Sequence, residues 1–381
     1  MNNSIVITGI GVVSPLGIGM DMLWNNLLAG KTSLKHFADL EAAGYRNTHA
    51  CRVQDFEAPP VHRGTYMALD ATKQAIAQSR IQLPENTGVF LGSTLGESMA
   101  YEMAAEGAAI DPGQYNTFSI AKAIAGAYRL TGPVQALSTA CTAGNYAVGM
   151  AMHALQRGDI SVAIAGGAEP FSRIAMVGFS RSRAMASDAC KPFDAQRSGM
   201  ILGEGAAIFI LERMNDAVQR GATPLAKVYA LGLSCDAYHP TSPHPDGRGL
   251  SRAMMAALQQ AGISKDEVDW VNIHGSGTKV SDTAEALALK SVFTTGMPVL
   301  SGSKGAIGHA LGAASALELA ICAQGIATQT IPPTAGFTVQ DTAIGLGCTT
   351  AVVQKKIRIA INNASAFGGL NASLVLGSCL S

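Results

Sequence analysis

Three residues offer the chemistry in this 381-residue chain: Cys141, His274 and His309. Cys141 lies in LSTACTAGNYAVG, where a short apolar strand ends and an Ala/Gly-rich helix begins. Free backbone N–H groups and the positive end of a helix dipole at such a place stabilise a thiolate. A thiolate is the nucleophile of covalent acyl transfer, and the same N–H groups can hold an oxyanion. Taken alone, a Cys in this position is more often a packed side chain. His274 closes an apolar run in VDWVNIHGSGTKVSDTAE, and Ser276 and Thr278 follow it at the strand end, where α/β proteins place ligands. His309 lies in SGSKGAIGHALGAASALELA, where it is expected to open a second long helix. Glu318 falls inside that apolar helix and needs a partner, because an isolated buried carboxylate is costly. Lys304, Asp282 and Glu285 are the candidates for such a buried network. In AFGGLN, two glycines after Phe367 form a turn that can bring a backbone N–H beside Cys141 and line an apolar tunnel with the ring. No spacing matches a zinc site, neither H-E-x-x-H nor paired Cys, so no metal is expected.

Alternating strands and helices must position these residues. Strands are predicted at 5–9, 88–91, 134–137, 161–165, 207–211, 226–230, 268–273, 299–300, 357–361 and 374–376. Helices are predicted at 20–29, 65–79, 250–261 and 283–292. Such alternation means a layered α/β architecture. Residues 134–155 and 299–321 share an order: strand, Leu-Ser, small residues, then a long Ala/Gly-rich helix. Each is followed by a strand ending in a Gly-rich turn, at 163–171 and 361–371. This reads as two halves of one duplicated unit, 1–225 and 226–381, although buried α/β helices share that composition for other reasons.

Composition narrows the class. Lys plus Arg and Asp plus Glu both number 27, so the net charge is zero, which argues against a basic nucleic-acid-binding domain. Hydrophobic residues make up 48% but aromatics only 6%, and 42 residues are Gly, so the apolar character comes from small side chains. Disorder is excluded by that apolar content. Residues 131–156 carry no charge, but Gln135, Asn145 and His153 among Ala and Gly favour strand, turn and buried helix over a membrane span. The N-terminus has no basic region and no cleavage site, so a cytoplasmic protein is expected. Seven irregularly spaced Cys point to neither a disulfide framework nor a metal site.

Together these segments resemble the elongating β-ketoacyl-acyl-carrier-protein synthases of the thiolase superfamily. The resemblance covers nearly the whole chain. VITGIGVVSPLG opens it, KPFDAQRSGMILGEGAAIFILE matches the PFD-R-G-GEGA segment, and CDAYHPTSPHPDG resembles the DAYH-TSP loop. Cys141, His274 and His309 fall on the family's Cys-His-His triad. The resemblance implies a five-layer α-β-α-β-α fold of two pseudo-repeated halves. It implies decarboxylative condensation of an acyl chain held on Cys141 with malonyl-acyl-carrier protein, in fatty acid, polyketide or polyene biosynthesis. Cys141 and Phe367 would supply the oxyanion-hole N–H groups. Ser276 and Thr278 would meet the pantetheine arm, and Phe367 would gate the acyl pocket. Lys304 and Glu318 would orient the histidines. No cofactor is implied beyond the phosphopantetheine arm that the carrier protein brings.

An acyl-carrier protein is the implied partner, with Arg63, Arg181 and Arg183 as basic candidates for docking it. A homodimer or a heterodimer with a chain-length-factor-type subunit is the implied assembly. Departures from the pattern are a shortened segment between Gly92 and Ile120, Ser276 in place of Thr, and Ser365–Ala366 before the gating Phe. The shortening raises a second reading, a subunit that works mainly within a heterodimer. A thiolase acting on coenzyme A esters is the third, against which His309 stands in place of a second Cys.

Overall fold

The computed structural model describes residues 4–379. Ten strands form two five-stranded leaves. The first holds β1 (Ile5–Ser14), β2 (Gly88–Gly92), β3 (Val134–Leu137), β4 (Val162–Glu169) and β5 (Gly205–Arg213) in the order β3-β2-β4-β5-β1. The second holds β6 (Ala226–Cys235), β7 (Trp270–Asn272), β8 (Val299–Ser301), β9 (Ile359–Ser365) and β10 (Leu370–Gly377) in the order β8-β7-β9-β10-β6. In each leaf the first three strands of that order are parallel and the last two antiparallel. The duplication suspected from composition is therefore a duplication of topology. β1 and β6 pair at the seam through Ile5–Val228, Val6–Lys227 and Ile7–Ala226, so the leaves join into one hydrogen-bonded sheet.

Side-chain alternation assigns the layers. Along β5, Phe209 and Leu211 face the central core while Ile208 and Ile210 face the outer one. Both faces are covered, so β1 is an unbroken buried run rather than an alternating one. Helices α1 (Met20–Leu28), α2 (Arg63–Ser79), α3 (Ser98–Ala105), α4 (Thr117–Ala127), α5 (Ala143–Arg157), α6 (Arg173–Arg181), α7 (Arg248–Ala261), α8 (Lys279–Val292) and α9 (Ala314–Thr328) complete the main elements. α2 and α4 cover the outer face of the first leaf, and α7 and α8 that of the second. α7 buries Leu250, Ala253, Met254, Ala257 and Leu258, the one-face spacing of an amphipathic helix. α5 and α9 fill the middle, making five layers.

Those two central helices need small residues. A Cβ on Gly144 would lie 2.5 Å from the Ala316 backbone nitrogen, so only Gly allows the helices to meet there. The segment Leu311–Thr328 has a mean hydropathy of 1.4 and the length of a membrane span, but 83% of it is buried between the leaves. The uncharged stretch 131–156 likewise resolves into β3, a turn and α5. Some strands run beyond the sequence expectation, β1 to Ser14 and β10 from Leu370, whereas the strand expected at 268–273 shrinks to Trp270–Asn272 and the one expected at 357–361 begins at Ile359. Cross-strand pairing carries the ladder past the apolar core of each segment. The segment between Gly92 and Ile120 is short but ordered, with α3 and a 3-10 turn at Pro112–Tyr115.

Candidate active site

The site forms where both halves end their central turns. A 3-10 turn, Ala140–Thr142, leads into α5 and carries Cys141, which is buried. Ala140 adopts φ +50°, a left-handed conformation that sharpens the bend and that a non-glycine residue tolerates only under restraint. His274 follows β7, and its backbone N–H and that of Gly275 donate to the Glu285 carboxylate at 2.7 and 2.8 Å. Asp282 does the same for Gly277, and it accepts from Phe193 N across the loop at 2.9 Å. The network expected from sequence exists, and these two carboxylates fix the backbone around His274. Burial pushes Glu285 up to about 7 and Asp282 up to about 6.

Lys304 is fully buried. Its Nζ donates to the His274 carbonyl at 2.5 Å, lies 3.5 Å from His274 Nδ1, and pairs with Glu318. Burial pushes Glu318 up to about 7, with Lys304 pulling the other way. An ammonium against Nδ1 leaves Nε2 of His274 as the N–H donor. His309 reaches the same tautomer by another route, because the Leu311 backbone N–H donates to its Nδ1 at 3.1 Å. The two rings meet edge-on, centroids 5.5 Å apart. Burial, then Lys304, holds both imidazoles well below the usual histidine range, so both are neutral at pH 7.

His309 does not open a helix. It bridges to Leu202, with its N–H on the Ile201 carbonyl, and α9 begins only at Ala314. The Gly-rich stretch 308–313 first makes a bridge and a 3-10 turn, which the composition alone does not separate from a helix start. Cys141 also departs from expectation. Burial pushes its thiol up to about 12, although Lys304 pulls it down. Desolvation of the thiolate outweighs the turn's N–H groups, so the resting group is a thiol.

Two cavities meet at Cys141. A cleft of ≈ 70 Å³ is lined by Cys141, His274, His309, Ser276, Thr278 and Phe367, so six sequence-chosen residues share one space. An apolar cavity of ≈ 420 Å³ lies on the other side, against Ile174, Ala175, Gly178 and Leu311. Cys141, Thr241, Phe179 and Phe367 border both. The Phe179 and Phe367 rings pack at 5.3 Å between them. Around Phe367 the backbone N–H groups of Ala366, Gly368 and Gly369 are bonded to Leu370, Pro240 and Ala366. The N–H of Phe367 has no protein acceptor among the described residues. The Ser276 and Thr278 hydroxyls bond each other at 2.9 Å, and Thr278 caps α8.

Sequence reasoning missed Phe179 and Glu169. Nothing local marks Phe179, since its role arises from α6 lying against the 366–369 turn. Glu169 did leave a signal: a carboxylate ending the wholly buried strand VAIAGGAE must be bonded to something. Arg63 is corrected as a docking cation, because its guanidinium is held by Glu204 through two bonds of 2.8 Å. Arg181 and Arg183 are exposed at the end of α6, close to this site.

Leaf topology, the central helix pair and a Cys facing two neutral imidazoles define a condensing enzyme of the thiolase superfamily. The β-ketoacyl synthase N-terminal domain matches residues 2–217, and the β-ketoacyl synthase C-terminal domain matches 225–338. The 3-oxoacyl-[acyl-carrier-protein] synthase 2 of Staphylococcus aureus (strain COL) is 34% identical, over 98% of each chain. Nodulation protein E of Rhizobium meliloti (strain 1021) is 33% identical over 98% of this chain and 99% of its own. The ishigamide ketosynthase/chain length factor superposes with a TM-score of 0.94 at 34% identity, covering 99% of this chain and 100% of its own. A ketosynthase with its chain length factor from Xenorhabdus doucetiae gives 0.84 at 26%, covering 99% and 98%. This chain belongs to the β-ketoacyl synthase family. It is an enzyme of ketosynthase condensation in fatty acid or polyketide synthesis.

Proposed function

We propose that Cys141 carries the acyl chain and that His274 and His309 activate a malonyl thioester delivered by an acyl-carrier protein. The observation that carries this reading is the junction itself. One Cys borders a cleft with two neutral imidazole donors and an apolar cavity that fits an acyl chain. In the first step the Cys141 thiol attacks the acyl thioester of the carrier protein. Its proton passes to the departing pantetheine sulfur, which leaves as the thiol. The Phe367 N–H, which has no protein acceptor among the described residues, and that of Cys141 would hold the oxyanion of this step.

In the second step the malonyl thioester enters along Ser276 and Thr278. Nε2–H of His274 and His309 donate to its carbonyl oxygen as the carboxylate leaves as carbon dioxide, which stabilises the enolate. Neutral donors suit this step, and both rings are neutral here. In the third step the enolate carbon attacks acyl-Cys141 and the thiolate departs, leaving a β-ketoacyl carrier protein two carbons longer. Lys304, held by Glu318, keeps the His274 tautomer. No metal or redox cofactor enters these steps.

The carrier protein is acidic in this reading, and Arg181 and Arg183 are the exposed cations for it. Two solved relatives bear on the partner. One, 26% identical with a TM-score of 0.89, is a ketosynthase bound to a hexaketide with its type II PKS acyl-carrier protein, covering 99% of this chain and 100% of its own. The other is the ketosynthase–chain length factor pair described above. A heterodimer of that kind is the assembly we favour, given the exposed side chains of Tyr101, Phe118, Ile174 and Val177 near the short 92–120 segment. The test is acylation: purified chain mixed with acyl-carrier protein should gain an acyl group on Cys141 by mass spectrometry. No adduct, with a control synthase loading normally, overturns the assignment.

A further inference from the structure

We infer that Glu169 is a positioning residue that keeps His309 in its hydrogen-donating form by fixing the turn at 311–313. The inference rests on the donor role of His309 proposed above. Glu169 is fully buried at the end of β4, and no cation pairs with it among the described residues. Its carboxylate instead accepts from three backbone N–H groups: Thr94 at 2.5 Å, Leu95 at 2.9 Å and Gly312 at 3.0 Å. Thr94 and Leu95 follow β2 in the first half, and Gly312 lies in the second. One carboxylate thus ties together the turns of both halves.

The neighbouring peptide shows what that tie does. Leu311 N donates to His309 Nδ1, so the turn itself holds the ring with Nε2–H outward. Leu311 adopts φ +45°, a left-handed conformation that a non-glycine residue keeps only under outside restraint. The Glu169–Gly312 bond supplies that restraint one residue on. A Cβ at Gly312 would lie 2.6 Å from Glu169 Oε2 and 2.5 Å from Thr94 N, so the carboxylate fills the space completely. Burial pushes Glu169 up to about 7, and its charge raises the Cys141 thiol rather than activating it. Its placement therefore does not serve the nucleophile.

Four proteins decide the case at pH 8: wild type, Glu169→Gln, His309→Ala and the double variant. Malonyl-carrier-protein decarboxylation is read by released carbon dioxide, and Cys141 acylation by mass spectrometry. Glu169→Gln should slow decarboxylation roughly 10- to 100-fold, the scale of a misplaced catalytic group, with acylation as fast as in wild type. It should cost nothing more when added to His309→Ala. Equal losses in both steps, or full additivity, make Glu169 merely structural and overturn the inference. A slow His309→Ala with an intact Glu169→Gln overturns the inference alone. An unimpaired His309→Ala overturns the donor role with it. Should Glu169→Gln not fold, ring-¹⁵N NMR of wild type decides: an acceptor Nδ1 and protonated Nε2 on His309 support the inference, and an Nδ1–H form overturns it.

Discussion

The two halves start their central helices in the same way and use the result differently. Ala140–Thr142 precedes α5 and Leu311–Ala313 precedes α9, both as 3-10 turns and both opening on a residue of positive φ. Each central helix has 15 residues. Cys141 and Gly312 are therefore structural counterparts. The first turn presents a thiol to the cleft. The second presents only backbone, giving one N–H to His309 and one to Glu169. The strand-to-turn link also differs: residues 138–139 in the first half, residues 302–310 in the second. That longer link carries both Lys304 and His309. In the proposed function, one backbone plan serves as the nucleophile's turn on one side and as its electrostatic support on the other.

Removing each specialised group breaks that comparison at a different point. Cys141→Ala should abolish condensation while the unfolding midpoint stays close to wild type, because a thiol-to-methyl change in a packed turn leaves a small void. Measurable condensation would mean that the first turn is not the reacting one. His274→Ala should cost about 10²–10³-fold in malonyl decarboxylation, the usual scale for an oxyanion donor. Equal loss of Cys141 acylation would count against a division of labour between halves.

Lys304→Met leaves Glu318 buried without its partner, and denaturant titration should show a loss of about 3–5 kcal/mol. That loss should shrink as pH falls from 8 to 6. Glu318 is already raised to about 7, so in the folded state it takes a proton well above the unfolded carboxylate range, and stability falls as pH rises through that window. A pH-independent loss would mean that Glu318 keeps the same protonation state with and without Lys304. Alkylation of Cys141 by iodoacetamide should climb about tenfold per pH unit through pH 9 without a plateau, since its thiol is raised to about 12. A plateau near pH 7 would show a resting ion pair instead. Phe367→Ala has the smallest effect. It opens the cleft to the apolar cavity and should broaden the chain lengths that load by a few-fold, at under about 1 kcal/mol in stability, since the residue is 37% exposed.

Much of the site was legible because reactive side chains ended apolar runs. Cys141, His274 and Glu318 each interrupt a stretch whose burial is dictated by composition, so each needed a reason to be there. The repeat was legible for the same reason, since two Ala/Gly-rich helices follow two strands in the same order. His309 was found, but its placement on a helix was not correct, because Gly-rich sequence is compatible with bridge, turn and helix alike. Arg63 looked like a free cation, and only Glu204, 141 residues away, shows otherwise.

The sequence by itself determined the layered α/β class, the small-residue central helices and the residue types able to do acyl chemistry. Periodicity, burial and side-chain chemistry are local properties and are written locally. Tertiary structure alone decided the electrostatics. The thiol rises and the imidazoles fall because of how much water the packed leaves exclude, and of Lys304 lying between the ring of His274 and the carboxylate of Glu318. It alone placed Glu169 across both halves and Phe179 against Phe367. Desolvation and long-range hydrogen bonds depend on which distant segments meet, and no spacing along the chain encodes that.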